Sequence, residues 1–159
     1  MMNKNWIRAI ILGLLLVGAF FPWIDLISLK SLDSLVWFET MDEGDYLVIE
    51  QSHSLSKSHI ANRLVLRQGQ LRLIETHYED QGGAGMPDLY RSGQSYAFDD
   101  GFLIKDDQVL SLPIRITNHQ DYDWQLVFMD KKVQVDHQLL SLDLERVSLV
   151  EWIYMKIRW

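Results

Sequence analysis

At 159 residues the chain can bury one core and is too short for two ordinary domains. It has no cysteine, which excludes disulfides, thiolate zinc sites, cysteine nucleophiles, iron–sulfur ligation and a lipid anchor on cysteine. From position 31 onward 12 Lys and Arg face 21 Asp and Glu, so the body is acidic and nucleic acid is not an expected partner.

The chain opens with Lys4 and Arg8 ahead of an uncharged run, Ala9 to Ile24, closed by Asp25. Under the positive-inside rule the basic end stays in the cytoplasm and the remainder lies outside. Residues 1–28 therefore read as a membrane anchor or signal segment, with membrane contact through residues 6–27. Sixteen uncharged residues make roughly 24 Å of helix against a hydrocarbon core of roughly 30 Å. Trp6 and Trp23 can sit at the two interfaces and Arg8 can snorkel. Val17-Gly18-Ala19 also offers small residues where a signal peptidase cuts, which leaves secretion after cleavage near Ala19 as the alternative. Location is accordingly the cytoplasmic membrane with the C-terminal domain outside, periplasmic or extracellular. Residues 29–44 read as a connecting segment, either a short amphipathic helix or extended chain.

The extracytoplasmic domain spans 45–159 and breaks into short apolar stretches between turn signals, the pattern of an all-β domain. Tyr46 to Gln51 is one predicted strand. Ala61 to Leu66 and Leu71 to Tyr78 flank Arg67-Gln68-Gly69-Gln70 as a hairpin. In its second arm Leu71, Leu73 and Glu75 share one face and Arg72, Ile74 and Thr76 the other, so neither face is cleanly polar. Gln94 to Phe98 and Gly101 to Lys105 flank Asp99-Asp100 as another hairpin. Val109 to Ile116 contains Pro113, which implies an edge, a bulge or a break. Trp124 to Met129 and Lys132 to Val135 flank Asp130-Lys131, and Val147 to Trp159 is rich in β-branched and aromatic residues. About eight such strands, with no long amphipathic helix after position 45, predict an antiparallel β-sandwich or partly closed barrel preceded by one N-terminal hydrophobic helix.

Two motifs are more particular. Ser52-His53-Ser54-Leu55-Ser56-Lys57-Ser58 follows the first predicted strand, and Gly82-Gly83-Ala84-Gly85-Met86-Pro87 follows the strand carrying Glu75 and Tyr78. Behind an N-terminal hydrophobic segment, this pair resembles the small bacterial domain family DUF1850. Its members are found alongside TAXI-type components of tripartite ATP-independent periplasmic (TRAP) solute transporters. His53, Ser54 and Lys57 match the family's first motif, with Ser58 at its Thr/Ser position. Ser56 stands where an acid is common and His59 where proline is common. Gly83, Ala84, Gly85, Met86 and Pro87 match the second motif, and Glu75 falls where the family carries an acid. The resemblance covers roughly positions 45 to 155 and implies a transporter context, with membrane subunits or a solute-binding protein as partners.

The residues allow several chemistries. A glycine loop at 82–85 can turn successive N–H groups inward, and His53, Lys57 and Ser54 would complete a carboxylate-accepting concavity. A serine hydrolase would need Ser54 activated by Lys57, His59 or His77, yet neither a nucleophile elbow nor the other elements of a Ser–Lys site are present. A metal site drawn from His53, His59, His77, His119 and Glu75 lacks any ligand-spaced His pair. The structural alternative lets His53 donate to Glu75 while the glycines form a tight crossover. The reading that follows is a non-catalytic accessory domain without cofactor or metal. Small-anion binding is the alternative, and Ser-dependent hydrolysis a weaker third.

Overall fold

The computed structural model describes residues 4–32, 34–53, 59–79, 94–98, 101–117, 122–133 and 139–159. Helix α1 (Lys4–Phe20) leads into β1 (Ile24–Ser31), β2 (Ser34–Thr40), β3 (Tyr46–His53), β4 (His59–Arg67) and β5 (Gln70–Glu79). There follow β6 (Gln94–Phe98), β7 (Gly101–Val109), β8 (Ile114–Thr117), β9 (Tyr122–Phe128), β10 (Lys131–Val133), β11 (Leu139–Val147) and α2 (Leu149–Arg158).

The strands form two antiparallel sheets, one in the order β2-β1-β11-β8 and one in the order β10-β9-β3-β4-β5-β7-β6. Each sheet keeps two edges, so the architecture is a sandwich and not a closed barrel. Alternate residues point inward from both layers. Ile27, Leu29, Leu140 and Leu142 of the smaller sheet meet Leu47, Ile49, Leu64, Leu66, Leu71 and Phe128 of the larger. Full burial of side chains of this size stabilises the fold by roughly 1.5–3 kcal/mol each before conformational entropy is counted.

Turn chemistry sets the registers. Gln68 and Gly69 both have positive φ, 55° and 67°, as do Met129 and Asp130 at 44° and 66°. Two consecutive left-handed residues make the tight primed turns whose twist matches that of a hairpin. The predicted 67–70 hairpin is therefore present, whereas the later turn falls one residue before the predicted Asp130-Lys131. Pro113 lies between β7 of the larger sheet and β8 of the smaller, at the break where the chain changes layers.

Three expectations are corrected. The segment 29–44, expected to connect, contributes to β1 and β2 of the smaller sheet. Because β1 begins at Ile24, and Leu26 and Ile27 are buried in protein, membrane contact through 6–27 can extend no further than about Trp23. The end of the chain, read as strand-like, is helix α2. It starts with a capping box in which Ser148 Oγ accepts from the Glu151 N–H at 3.2 Å and the Glu151 carboxylate accepts from the Ser148 N–H at 2.8 Å. These bonds from the Ser148 backbone and hydroxyl hold the Glu151 carboxyl below its ordinary range. α2 lays Trp152 and Met155 over Leu26, Phe38 and Val147 on the outer side of the smaller sheet, forming a second apolar layer.

α1 makes about 25 Å of helix from its 17 residues. Among the described residues, no helix is long and apolar enough to cross a membrane. Val17, Gly18 and Ala19 lie in its last turn, and Trp23 Nε1 donates back to the Gly18 carbonyl at 3.1 Å.

Candidate functional site

The larger sheet turns one face to the core and the other away from it, and a bulge decides which side chains reach the outer face. Leu64 pairs with Leu73 but Arg63 pairs with Glu75, so Ile74 is an extra residue on β5. Before the bulge Leu71 and Leu73 point inward; beyond it Thr76 and Tyr78 do. Thr76 Oγ1 donates to Asn62 Oδ1 at 2.8 Å, and Tyr78 is buried. Glu75, His77 and Glu79 therefore share the outer face with Arg63, whereas the sequence alternation had put Glu75 on the face of Leu71 and Leu73.

On that face lies a cleft of about 330 Å³ over β3, β4, β5 and β9. Arg63 Nη1 donates to Glu75 Oε1 at 3.3 Å, and the guanidinium sits 4.4 Å from the centroid of the Tyr46 ring. The Tyr46 hydroxyl donates to Asp130 Oδ1 at 2.5 Å. That bond, with the nearby negative charge of Asp130, raises the phenol's pKa above its ordinary value although Arg63 opposes the shift. Further along, His77 Nδ1 lies 3.7 Å and His59 Nδ1 4.0 Å from the Glu79 carboxylate, one imidazole on the same strand and the other on the neighbouring strand. Two groups of partners thus share this face, Asp130–Tyr46–Arg63–Glu75 near the β9–β10 turn and His77–Glu79–His59 at the far end of β5.

No family model, curated protein or solved structure matches the chain. The reading of the site rests on its own geometry.

Of the sequence candidates, Glu75 is placed firmly, and its partner is Arg63. The expected contact from His53 to Glu75 does not fit the register. Arg63 bridges Glu75 and Val48, and Val48 lies five residues from His53 along β3, which is roughly 17 Å of strand. Ser54, Lys57, Gly83, Ala84, Gly85, Met86 and Pro87 lie outside the described residues, as does His119. The backbone does locate both motifs at their point of departure. Ser52 pairs with His59 and His59 with Glu79, so segments 54–58 and 80–93 leave from the same end of the same sheet.

His59 and His77 do share a face, as a metal site would need, but both turn toward one carboxylate. Among the described residues no group of three His, Asp or Glu side chains is arranged to hold a metal ion. Carboxylates Glu50, Glu75, Glu79 and Asp130 stand on this face with Arg63, Lys105 and Lys132. Tyr46, Arg63 and Asp130 were not singled out from sequence. The available signal was the hairpin itself: counting back from Gln68-Gly69 puts Arg63 opposite Ile74, and a single inserted residue puts it opposite Glu75, where the charges match.

Proposed function

We propose that the protein is a non-catalytic interaction domain held at the outer face of the cytoplasmic membrane, where it serves as an accessory to a TAXI-type TRAP solute transporter. The observation that carries the membrane part is α1. Ile10, Leu12, Leu14, Leu15, Val17 and Phe20 are about half or more exposed along its length, although the sandwich completes its core without them. An exposed apolar surface of this extent marks a membrane or a protein partner. α1 alone is shorter than a bilayer core, and Trp6 and Trp23 at its two ends are suited to the interfaces, with local thinning taking up the difference.

The interaction part rests on the outer face of the larger sheet, where Arg63 is held by Glu75 and Asp130 by Tyr46. Such a pre-ordered polar surface costs little further entropy when a partner docks. The transporter context is supported by the motif resemblance alone.

One observation favours a second reading, small-carboxylate binding. The His-Ser and Gly-Ala-Gly segments leave the sheet at one end, so Lys57 and the glycine loop start from neighbouring strands.

Affinity purification of the full-length protein, tagged at its C-terminus, from gently solubilised membranes separates the two. Stoichiometric recovery of a solute-binding protein or a multi-span transporter subunit is the expected result. Recovery of the protein alone, together with binding of small carboxylates by the isolated domain that Lys57→Ala abolishes, establishes the second reading instead.

A further inference from the structure

Helix α2 carries two apolar stripes where its place in the fold requires one. Trp152 and Met155 cover the smaller sheet. Val150, Ile153, Tyr154 and Ile157 face away, exposed by 40, 42, 59 and 80%. Their spacing of three, four and seven residues makes a single continuous stripe on the helix. Among the described residues, neither apolar cluster of the sandwich includes it.

Two further observations say what covers it. α1, itself apolar and exposed, packs against α2, so α2 adjoins the surface proposed to meet the membrane. The end of α2 is also basic in a chain that is otherwise acidic. Lys156 and Arg158 occupy its last turn, and Trp159 shares a cleft of about 520 Å³ with Lys131 and Lys132 of β10. Glu39 lines the same cleft, and Lys132 Nζ donates to Gln125 Oε1 at 3.4 Å on the larger sheet. Lys156 has Glu39 at 3.5 Å, and Arg158 Nη1 donates to the Tyr154 hydroxyl at 2.8 Å.

The geometry points to α2 as a second membrane contact that lies in the headgroup layer of an anionic bilayer. Its outer stripe enters the acyl boundary, and Lys131, Lys156 and Arg158 meet the phosphates. An apolar stripe flanked by basic residues and aromatic rings is the chemistry of an interfacial helix. The inference rests on the proposed engagement of α1 with a membrane and adds an orientation to it. The smaller sheet faces the bilayer, and the outer face of the larger sheet, with Arg63, Glu75 and the two histidines, faces the aqueous side.

The chain has no cysteine, so single introduced cysteines take an environment-sensitive fluorophore at one defined place. Three full-length variants, Leu14→Cys in α1, Ile157→Cys in α2 and Val109→Cys on the outer face of β7, are reconstituted into vesicles of mixed zwitterionic and anionic phospholipid. The expected result is a blue shift and quenching by acyl-chain quenchers at positions 14 and 157, with position 109 unchanged. The shift at 157 shrinks in purely zwitterionic vesicles or in the Lys131→Glu background. A water-like signal at 157 beside a bilayer signal at 14 overturns the α2 contact and leaves the α1 anchor standing. Water-like signals at both positions remove both readings. A bilayer signal at 109 as well rejects the proposed orientation.

Discussion

Ser28 sits on β1 beneath α2, buried, with its hydroxyl lacking a hydrogen-bond partner among the described residues. An unsatisfied buried hydroxyl carries a desolvation cost that an apolar group of similar size avoids. Ser28→Ala should therefore raise stability, by up to about 1 kcal/mol, and thermal unfolding of the two forms checks it. A lowered midpoint would mean that the hydroxyl has a partner after all. Tyr46 is a different case, because its phenol is held in the neutral form by donating to Asp130. A raised folded pKa gives stability that is fully present below the unfolded tyrosine value, about 10, and is lost as pH rises through the folded value. In Tyr46→Phe that part of the alkaline loss should vanish, so the variant's stability falls less steeply above pH 10 than the parent's. Parallel denaturant titrations between pH 8 and pH 11 measure the difference. The side chains that make this site were only partly readable. Glu75 was visible as an acid on a strand, but its partner depended on one extra residue in β5 that no local pattern announces.

At the level of elements, Gly101 shows how closely two strands can be set. A Cβ built on it would lie 1.9 Å from the carbonyl oxygen of Tyr78 on β5, a backbone atom with no freedom to swing aside. Gly101→Ala should destabilise by about 1–3 kcal/mol through a local shift of β7 from β5, read as a lower denaturation midpoint. Unchanged stability would show that the strands separate there without cost. Hairpins were legible where turn chemistry is local, as at Gln68-Gly69, and Pro113 marked a real break. β1 was not, for a physical reason. Leu26 faces α2 while Ile27 and Leu29 face the core, so both sides of the strand are buried and the apolar run continues that of α1 without alternation. The end of the chain misled in the opposite way. Its β-branched and aromatic residues suggested a strand, yet Ser148 followed three residues later by Glu151 is a helix-start signal, and Lys156 with Arg158 suits the closing turn. β11 went unpredicted because its residues alternate with charges, Asp143, Glu145 and Arg146, two of which are engaged across the sheet, Glu145 with Lys30 and Arg146 with Asp25.

On the scale of the whole molecule, α1 and the sandwich are separable in energetic terms. Among the described residues, neither apolar cluster includes one from α1. A chain beginning at Pro22 should therefore keep its β-sheet circular dichroism and cooperative unfolding while losing most of its sedimentation with membranes. Loss of cooperative unfolding in that truncation would make α1 part of the fold and remove the ground for treating it as an anchor.

The smaller sheet has its last strand in the middle. β11 lies between β1 and β8, and Ile24 pairs with Val147. During synthesis the β1–β2 hairpin must wait for its neighbour until β11 has emerged, on the order of ten seconds later at ordinary translation rates. Until then Leu26, Ile27 and Leu29 have no sheet to enter. A ribosome that stops anywhere before position 139 releases a product with an unfilled slot at the centre of this sheet, not merely a frayed end. β11 thus acts as the latch that closes the smaller sheet.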